Sequence, residues 1–285
     1  MTYREVRQLI PAQEITEGAG VTVRRTLGTP ALRNLDPFLL LDHFSSDDPD
    51  DYIAGFPDHP HRGFVTFTYM LDGHMLHRDS MGNQGDLQAG GAQWMKAAGG
   101  VIHSEMPQQS AGLMRGFQLW INLPASDKLS APAYQEFSAA AFPVHREPGL
   151  EVKVLSGEYA GLRGPVEDPH TRVQYLDVSL APGQRFEHDL PATHNAFLHV
   201  FEGAVEVAGT GLPAHSLAVL GPGDRVGVTA GETGARLILV AGRPIGEPIA
   251  QYGPFVMNTQ EEIHQAMRDY RDGRLVQQRA DVTGD

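Results

Sequence analysis

The sequence predicts an all-β protein made of two tandem barrels or sandwiches, with a short C-terminal helix. Short apolar runs alternate with turns that are rich in glycine and proline, of which the 285 residues contain 32 and 20. Such ladders of short strands are typical of β-sandwiches and β-barrels. The two halves of the chain also echo each other weakly, and the chain is long enough for two domains that each bury a core.

The composition excludes several classes of function. Apolar residues make up 41% and charged residues 20%, which is typical of a soluble globular protein. The net charge of −13 repels phosphate backbones, so we expect no direct nucleic-acid binding. The chain has no cysteine, which excludes disulfides, thiolate ligands and a cysteine nucleophile. We see no signal-peptide core and no apolar run as long as a membrane span, so we expect a cytoplasmic protein without a membrane partner.

The predicted strands divide the chain into two domains. The runs VTVRRTL, FLLLDHF, VTFTYML, LQAGGAQWM and RGFQLWINL precede an alanine-, serine- and proline-rich stretch at residues 128–143, which we interpret as a linker that could hold a short helix. Strands resume with LEVKVLSG, and FLHVFEGAVEVAG echoes FTYMLDGHMLHRD of the first half. We expect an N-terminal domain at residues 1–130 and a C-terminal domain at residues 131–285, each built of β-strands.

One helix is expected near the C-terminus. Thr259 and Glu262 have the spacing of a capping box, and Gly273 is a plausible stop. Apolar residues between them recur at i, i+3, i+4 and i+7, which predicts one apolar face that docks on a sheet. These residues are Ile263, Ala266, Met267 and Tyr270.

The stretch FPDHPHRGF places two histidines, His59 and His61, two residues apart. Alternate side chains of a strand share a face, and the odd positions from 59 to 71 become apolar after Gly63. We therefore expect both histidines on the buried side, unless Pro60 or Gly63 breaks the strand. Two buried imidazoles favour a metal site, although hydrogen-bonded core histidines would have the same spacing.

A second pair follows about forty residues later, in GGVIHSEMP. His103 and Glu105 are again two residues apart, so two neighbouring strands could aim three imidazoles and a carboxylate at one point inside a barrel. Such nitrogen and oxygen ligands suit iron, manganese, cobalt, nickel, copper or zinc. The alternative for this second pair is an ordinary hydrogen-bonded His–Glu pair in a loop.

These motifs resemble those of the pirin family, a branch of the cupins, over nearly the whole chain. The stretches LDPFLLLDHF, FPDHPHRGF, HRDSMGNQGDL, QWMKAAGGVIHSEMP, GFQLWINLP and PIGEPIAQYGPFVMNT occur in the expected order. The resemblance implies two cupin barrels in one chain, each a double-stranded β-helix or jelly roll. It also implies one divalent metal, usually Fe(II), held in the N-terminal cupin by His59, His61, His103 and Glu105.

The same resemblance shapes our expectations for residues around the site. The C-terminal cupin lacks a matching H-x-H pair, so we interpret His188, His194 and His199 as core or surface residues. Val65 stands where pirin-like sequences often have glutamate, and alternation would place it beside His59 and His61. Val65, Phe67 and Met106 are candidate apolar walls for a flat substrate, and His77 and Gln93 are candidates for orienting the metal ligands, or ordinary surface and strand residues.

Some pirin-like proteins are quercetin 2,3-dioxygenases, which open the central ring of a flavonol with dioxygen and release carbon monoxide. For this chain the resemblance implies the same reaction, with Glu105 as the candidate base for the flavonol 3-hydroxyl. Other pirins are iron-containing, redox-sensitive regulatory proteins that bind protein partners without turnover. A third hypothesis for the function is a metal-storing or vestigial cupin that has no substrate.

Overall fold

A computed structural model describes residues 1–277 and the backbone of residues 281–284. Strands make up most of it, and within the described residues one α-helix is present, Gln260–Arg271 (α1). This confirms the predicted all-β class. No helix in that part of the chain is both long enough and apolar enough to cross a membrane.

The strands are short and follow one another closely. The first twelve are Val6–Pro11 (β1), Gln13–Glu17 (β2), Val21–Leu27 (β3), Phe38–Ser46 (β4), Phe56–His61 (β5), Phe64–Asp72 (β6), His74–Asp79 (β7), Gln84–Gln88 (β8), Ala92–Lys96 (β9), Val101–Pro107 (β10), Met114–Asn122 (β11) and Ala133–Phe137 (β12). The others are Val144–Glu147 (β13), Leu150–Ser156 (β14), Glu158–Tyr159 (β15), Leu162–Arg163 (β16), Gln174–Leu180 (β17), Arg185–Asp189 (β18), Asn195–Val207 (β19), Thr210–Pro213 (β20), Ser216–Leu220 (β21), Arg225–Gly242 (β22), Ala250–Tyr252 (β23), Phe255–Met257 (β24) and Asp281–Gly284 (β25).

Two compact units share the chain, and each is assembled from separate segments. The first, which we call the N-terminal barrel, comprises Glu14–Arg25, Phe38–Ala140 and Ile245–Asp285. The second, the C-terminal barrel, comprises Met1–Gln13, Thr26–Pro37 and Ala141–Pro244. The expected division near residue 130 therefore differs from these units, because both ends of the chain lie in the barrel of the other half.

The N-terminal barrel is a jelly roll of two sheets. One sheet has the strand order β5-β10-β7-β8, and the other has the order β2-β3-β4-β11-β6-β9-β12-β25. A chain reversal at Gly63, whose φ is +90°, separates β5 in the first sheet from β6 in the second. Only glycine adopts this backbone conformation without strain. Side chains between the two sheets therefore come from strands of both.

The C-terminal barrel repeats this pairing scheme. Strand β18 pairs with the first half of β22 as β5 pairs with β10, and β19 pairs with β21 and β22 as β6 pairs with β9 and β11. Its interior is a large apolar cluster drawn from β14, β17, β19, β21 and β22. The weak internal repeat in the sequence thus corresponds to two barrels of similar topology.

The stretch at residues 128–143 is more ordered than the linker we expected. It contains β12, which pairs with β9 and contributes the buried Tyr134, and a short 3₁₀ turn at Ala139–Ala141. Lys128, at its start, is 1% exposed. Its alanine, serine and proline content concealed a strand because sheet pairing, and not local propensity, holds it in place.

The C-terminal helix begins and ends as predicted, but its buried face differs. Thr259 and Glu262 form the complete capping box, and Gly273 follows the helix with φ +70°. Ile263 and Ala266 are buried, whereas Met267 and Tyr270 are 40% and 43% exposed. Asp269 takes the third buried position on the helix because it pairs with an arginine of the N-terminal barrel.

Candidate metal centre

Three histidines meet inside the N-terminal barrel. Strands β5 and β10 are antiparallel neighbours, and their register places His103 opposite His59 and Val101 opposite His61. One ring nitrogen from each of His59, His61 and His103 lies within 4.8 Å of the others. His61 and His103 are buried, and His59 is half-buried. The two spacings noted in the sequence thus converge through sheet pairing.

Neighbouring groups leave ring nitrogens available at the centre. The Nδ1 of His59 lies 2.8 Å from the carbonyl oxygen of Pro57, so it donates a hydrogen bond to that oxygen. Its Nε2 is then unprotonated and has a lone pair. That Nε2 lies 3.1 Å from Nε2 of His61. The Nε2 of His103 is buried and has no hydrogen-bond partner. A buried nitrogen left without a partner is costly, and a metal ion would satisfy it.

Electrostatics favour neutral rings at this site. Burial, reinforced by the neighbouring His59, holds the pKa of His61 well below its usual value, against a smaller opposing effect of the Pro254 backbone. Burial and the surrounding histidines lower the pKa of His103 in the same way. Neutral imidazole is the form that binds a metal. The three histidines could therefore hold a metal ion.

Glu105 lies in the barrel interior but outside this cluster of nitrogens. Its Oε1 accepts a hydrogen bond of 3.0 Å from the Thr68 hydroxyl, and its Oε2 accepts one of 2.8 Å from Nε2 of Gln118. Thr68 and Gln118 belong to the opposite sheet. The pairing of β10 with β5 shifts register between His103 and Glu105, which sets the carboxylate apart from the regular ladder.

Behind the cluster, His77 and Asp79 extend the line of polar side chains. Nδ1 of His77 lies 3.4 Å from Nδ1 of His103, and Nε2 of His77 lies 3.4 Å from Oδ2 of Asp79. The side chains of both residues are 1% exposed. With His77 donating to Asp79, we assign Nδ1–H of His103 as the donor to His77, which directs Nε2 of His103 to the centre.

Gln93 contacts this arrangement indirectly, through Tyr134. It is buried and donates a 2.7 Å hydrogen bond to the hydroxyl of Tyr134. The Tyr134 ring stacks on His77, with 5.0 Å between the ring centroids. His77 thus contacts His103 directly, Gln93 contacts the tyrosine that stacks on His77, and both residues are buried.

Val65, Phe67 and Met106, which we expected to form apolar walls for a substrate, face away from the candidate metal centre. In β6, Phe64 packs against His61 and Thr68 contacts Glu105, so even positions face the site and the odd positions Val65 and Phe67 face away. Met106 alternates with the inward Glu105 and also faces away. The error arose because the reversal at Gly63 shifts the alternation that we had continued from His59.

Aromatic side chains that we did not single out pack on the centre instead. Phe64 and Trp120 lie 5.0 Å and 5.3 Å from the His61 ring, measured between centroids, and 4.3 Å from each other. Trp120 donates to Oε1 of Gln118, which in turn holds Glu105. The run GFQLWINL carried the signal, since Gln118 and Trp120 are two residues apart and share a face.

A small, largely enclosed pocket of about 10 Å³ lies beside Glu105. Asp42 lies at its polar end, where Arg25 donates two hydrogen bonds of 2.7 Å and 2.6 Å to the carboxylate. Burial raises the pKa of Asp42, and Arg25 opposes this effect. The remaining lining is largely apolar. The pocket is lined by Val23, Asp42, Phe44, Phe56, Thr68, Met75, Glu105 and Gln118.

At the corresponding positions the C-terminal barrel has one histidine and otherwise apolar side chains. Phe186 lies opposite Val228 in the place of the His59–His103 pair, and only His188 matches His61 in register. His188 accepts a hydrogen bond from the Gln174 amide. Among the described residues, no second group of three candidate ligands occurs. His194 and His199 are buried, which agrees with the core location and not with the surface location.

Two jelly-roll barrels, one of which encloses a three-histidine centre, define a bicupin with a candidate metal site. The family model for Pirin matches residues 20–121, and the model for the Pirin C-terminal cupin domain matches residues 175–276. The chain belongs to the pirin family. This confirms the resemblance on which our site expectations rest.

Individual relatives match nearly the whole chain. A pirin-like protein of Caulobacter vibrioides is 50% identical over 96% of this chain and 100% of its own length. A Pseudomonas aeruginosa protein provisionally named quercetin 2,3-dioxygenase is 47% identical over 96% of this chain and 98% of its own. The crystal structure of a quercetin 2,3-dioxygenase from Acinetobacter baumannii superposes with a TM-score of 0.90 at 32% identity, covering 96% of this chain and 99% of that one.

Proposed function

We propose that this protein is a metal-dependent dioxygenase that opens the central ring of flavonols such as quercetin with dioxygen and releases carbon monoxide. The observation that carries the proposal is the convergence of His59, His61 and His103 inside a barrel, beside a largely apolar pocket. The names of the Pseudomonas and Acinetobacter relatives support the same reaction.

The metal would be one divalent transition ion held by the three histidines, and the Glu105 carboxylate, which lies outside their cluster, would have to turn towards the ion to act as the fourth ligand. Fe(II) is the ion that the family resemblance favours, although nitrogen and oxygen ligands suit manganese, cobalt, nickel, copper and zinc as well. When bound, such an ion supplies Lewis acidity and a template that orients a chelating substrate. His77 and Asp79 keep His103 in the tautomer that points Nε2 at this ion.

Glu105 is the proposed general base. A flavonol is acidic at its 3-hydroxyl, and a carboxylate oxygen of Glu105 would accept that proton as substrate arrives. The Thr68 hydroxyl and the Gln118 amide hold the two carboxylate oxygens, each of which retains a further lone pair for the proton. This role requires the carboxylate to leave the metal when substrate arrives, because a coordinated carboxylate is less basic.

The pocket beside Glu105 has a lining suited to an aromatic ring, but its volume of about 10 Å³ admits no more than one water molecule, so a flavonol would enter only after the lining side chains move. Phe44, Phe56, Val23 and Met75 provide apolar surface for a ring, and Asp42 provides an acceptor for a phenolic hydroxyl. Mostly apolar linings with a few placed polar groups are typical of small-molecule sites, so the proposal rests on the composition of this lining and not on its present volume. The aromatic pair Phe64 and Trp120 limits water near His61 on the other side.

The test is elemental analysis together with oxygen uptake on quercetin, using the wild-type protein and a His61→Ala variant. We expect about one equivalent of metal in the wild type, with oxygen uptake and carbon monoxide release, and loss of all three in the variant. His74→Ala is the matched control, since His74 lies on the same sheet but pairs with Asp86 outside the cluster.

Two outcomes would contradict the proposal in different ways. Wild-type protein that binds metal yet consumes no oxygen with any flavonol would favour the regulatory alternative, in which the metal tunes a binding surface. Wild-type protein that binds no metal after anaerobic loading with Fe(II) would remove the metal site itself.

A further inference from the structure

The last part of the N-terminal barrel packs on the strands that carry the histidines. We call residues 250–275 the C-terminal clamp; it contains β23, β24, α1 and the turn that follows. Its apolar core includes Phe255, Ile263 and Leu275, and Ile102 of β10 packs against it. Ile102 immediately precedes His103. A segment nearly 150 residues further along the chain thus supports the candidate metal centre from outside.

The backbone of Arg62, the residue after His61, is paired with this clamp. Its N–H donates to the carbonyl oxygen of Pro254 at 3.3 Å, and its own carbonyl oxygen accepts from the N–H of Val256 at 3.0 Å. These two bonds form a short parallel bridge between Arg62 and Phe255. The end of β5 therefore has a fixed position relative to the clamp.

The side chain of Arg62 links both histidine-bearing strands to the helix. Arg62 is 3% exposed, and its guanidinium donates from Nε to the Gly99 carbonyl at 2.7 Å and from Nη1 to Oδ2 of Asp269 at 2.7 Å. Its Nη2 donates to the Leu275 carbonyl at 3.3 Å. Gly99 lies just before β10. One buried cation thus connects the end of β5, the start of β10 and α1.

A second buried cation, Lys128, binds the backbone of Gly63, the residue after Arg62. Nζ of Lys128 donates to the carbonyl oxygens of Gly63 and Val256 at 2.7 Å and 3.0 Å, and to Oδ1 of Asn122 at 2.6 Å. It joins the reversal at Gly63 to β24 and to the end of β11. The buried positive charges of Arg62 and Lys128 therefore fix the positions of Arg62 and Gly63, the two residues that follow His61.

Close backbone approach at two glycines shows how tightly the clamp fits. A Cβ at Gly63 would lie 1.8 Å from the Val256 carbonyl oxygen, and a Cβ at Gly100 would lie 2.4 Å from that of Leu275. Both residues also have positive φ. Both positions therefore favour glycine for two reasons, the lack of space for a Cβ and the backbone conformation. The clamp leaves no room for a side chain at the strand ends that it touches.

We propose that the C-terminal clamp is a positioning device for the metal centre, in which the Arg62–Asp269 ion pair sets the spacing of β5 and β10 and thereby raises metal affinity. Three ring nitrogens must stay within a few ångströms of one another, and the clamp joins the strands that bear them at their shared end. The coupling is reciprocal, so bound metal tightens the docking of α1. The inference rests on the metal site proposed above.

The first test is a Co(II) titration of the full-length protein, with visible absorbance as the readout of ligand geometry and affinity. We expect Asp269→Asn to weaken Co(II) binding by about tenfold, the lower end of the range for groups hydrogen-bonded to metal ligands, because Asp269 acts through Arg62 and not on a ligand directly. Two controls should keep wild-type affinity. Asp272 lies at the exposed end of the same helix and is replaced in Asp272→Asn, and Asp177→Asn breaks a partly buried pair with Arg236 in the C-terminal barrel.

The second test needs no clamp variant, so it stands even if Asp269→Asn folds poorly. Hydrogen exchange of the amides at residues 260–271 is compared with and without Co(II) in the wild type. Reciprocity predicts slower exchange by about the same tenfold factor, and no change in His61→Ala. Equal Co(II) affinity in wild type and Asp269→Asn, or exchange unchanged by Co(II), would overturn the inference. Absence of Co(II) binding to the wild type would instead overturn the metal site.

Discussion

At the residue scale, the candidate site depends on two spacings of two residues and on one strand register. His59 and His61 reach the same side of β5 because strands alternate their side chains, and His103 meets them because it lies opposite His59 on β10. The register comes from sheet pairing, which local sequence does not specify. The histidines were therefore identifiable from the sequence, whereas their mutual distances were not.

Glu105 allows a sharp test at this scale. Glu105→Gln keeps the shape and the contact with Thr68 but removes the charge and the ability to take a proton. We expect turnover of quercetin to fall by at least about a hundredfold, the contribution typical of a general base, while some metal is retained. Steady-state oxygen uptake and elemental analysis on the same samples measure both quantities.

Thr68→Val provides the comparison for this variant. It removes one hydrogen bond to Oε1 of Glu105 and leaves the carboxylate intact, so we expect a smaller loss of turnover than in Glu105→Gln. Full activity in Glu105→Gln would remove the base assignment. Complete loss of metal from that variant would show that Glu105 acts chiefly as a ligand.

At the element scale, the sequence identified strands more readily than it identified their faces. The run VTFTYML predicts a strand, and the structure contains one. The prediction that Val65 and Phe67 face the site is wrong, because Gly63 turns the chain from one sheet into the other. The same limit concealed β12, whose alanine, serine and proline content is unusual for a strand. Faces and pairings depend on which sheet a strand joins.

Lys128 shows what the linker interpretation missed, and it supports a prediction about stability. In Lys128→Met the carbonyl oxygens of Gly63 and Val256 and the side chain of Asn122 lose a buried donor. We expect the free energy of unfolding to fall by about 3 kcal/mol, from three lost hydrogen bonds at about 1 kcal/mol each. Urea unfolding followed by tryptophan fluorescence measures this loss.

Lys96→Met is the matched control. Lys96 is half-buried, and its Nζ has one contact, of 3.4 Å, with the Ser130 hydroxyl. We expect its effect to stay below about 1 kcal/mol. Equal destabilisation by the two substitutions would mean that the three acceptors around Lys128 are not what stabilises the fold.

At the scale of the whole molecule, two barrels of one topology have different interiors. The N-terminal barrel places polar side chains between its sheets, whereas the C-terminal barrel fills the matching positions with Phe186 and Val228. An interior built largely of aliphatic side chains offers few of the donor atoms that a metal needs. The C-terminal barrel still contains one fully buried histidine, His199.

His199 should make the molecule less stable in acid. Burial, with a contribution from His215, lowers the pKa of His199 to about 3. As pH falls below about 6.5 the unfolded chain binds this proton and the folded chain does not, so stability decreases. At pH 5 the loss from this residue is about 2 kcal/mol, the product of 1.5 pKa units and about 1.4 kcal/mol per unit.

The measurement is the free energy of unfolding at pH 7 and pH 5 for the wild type and His199→Gln. The variant should lose about 2 kcal/mol less than the wild type over this interval. His264→Gln, in which an exposed helix residue is replaced, should behave as the wild type does. An identical pH dependence in His199→Gln and the wild type would contradict the assignment.

Local sequence is sufficient for the all-β class, the internal repeat, the capped helix from Thr259 to Gly273 and the residues of the candidate centre. Each of these depends on spacing within a few residues or on comparison of the two halves. Long-range packing accounts for the rest: the interleaved units, the inverted face of β6, the burial of Lys128 and the clamp that joins Arg62 to Asp269. These features arise from hydrogen bonds and ion pairs between residues far apart in the chain, which no local pattern records.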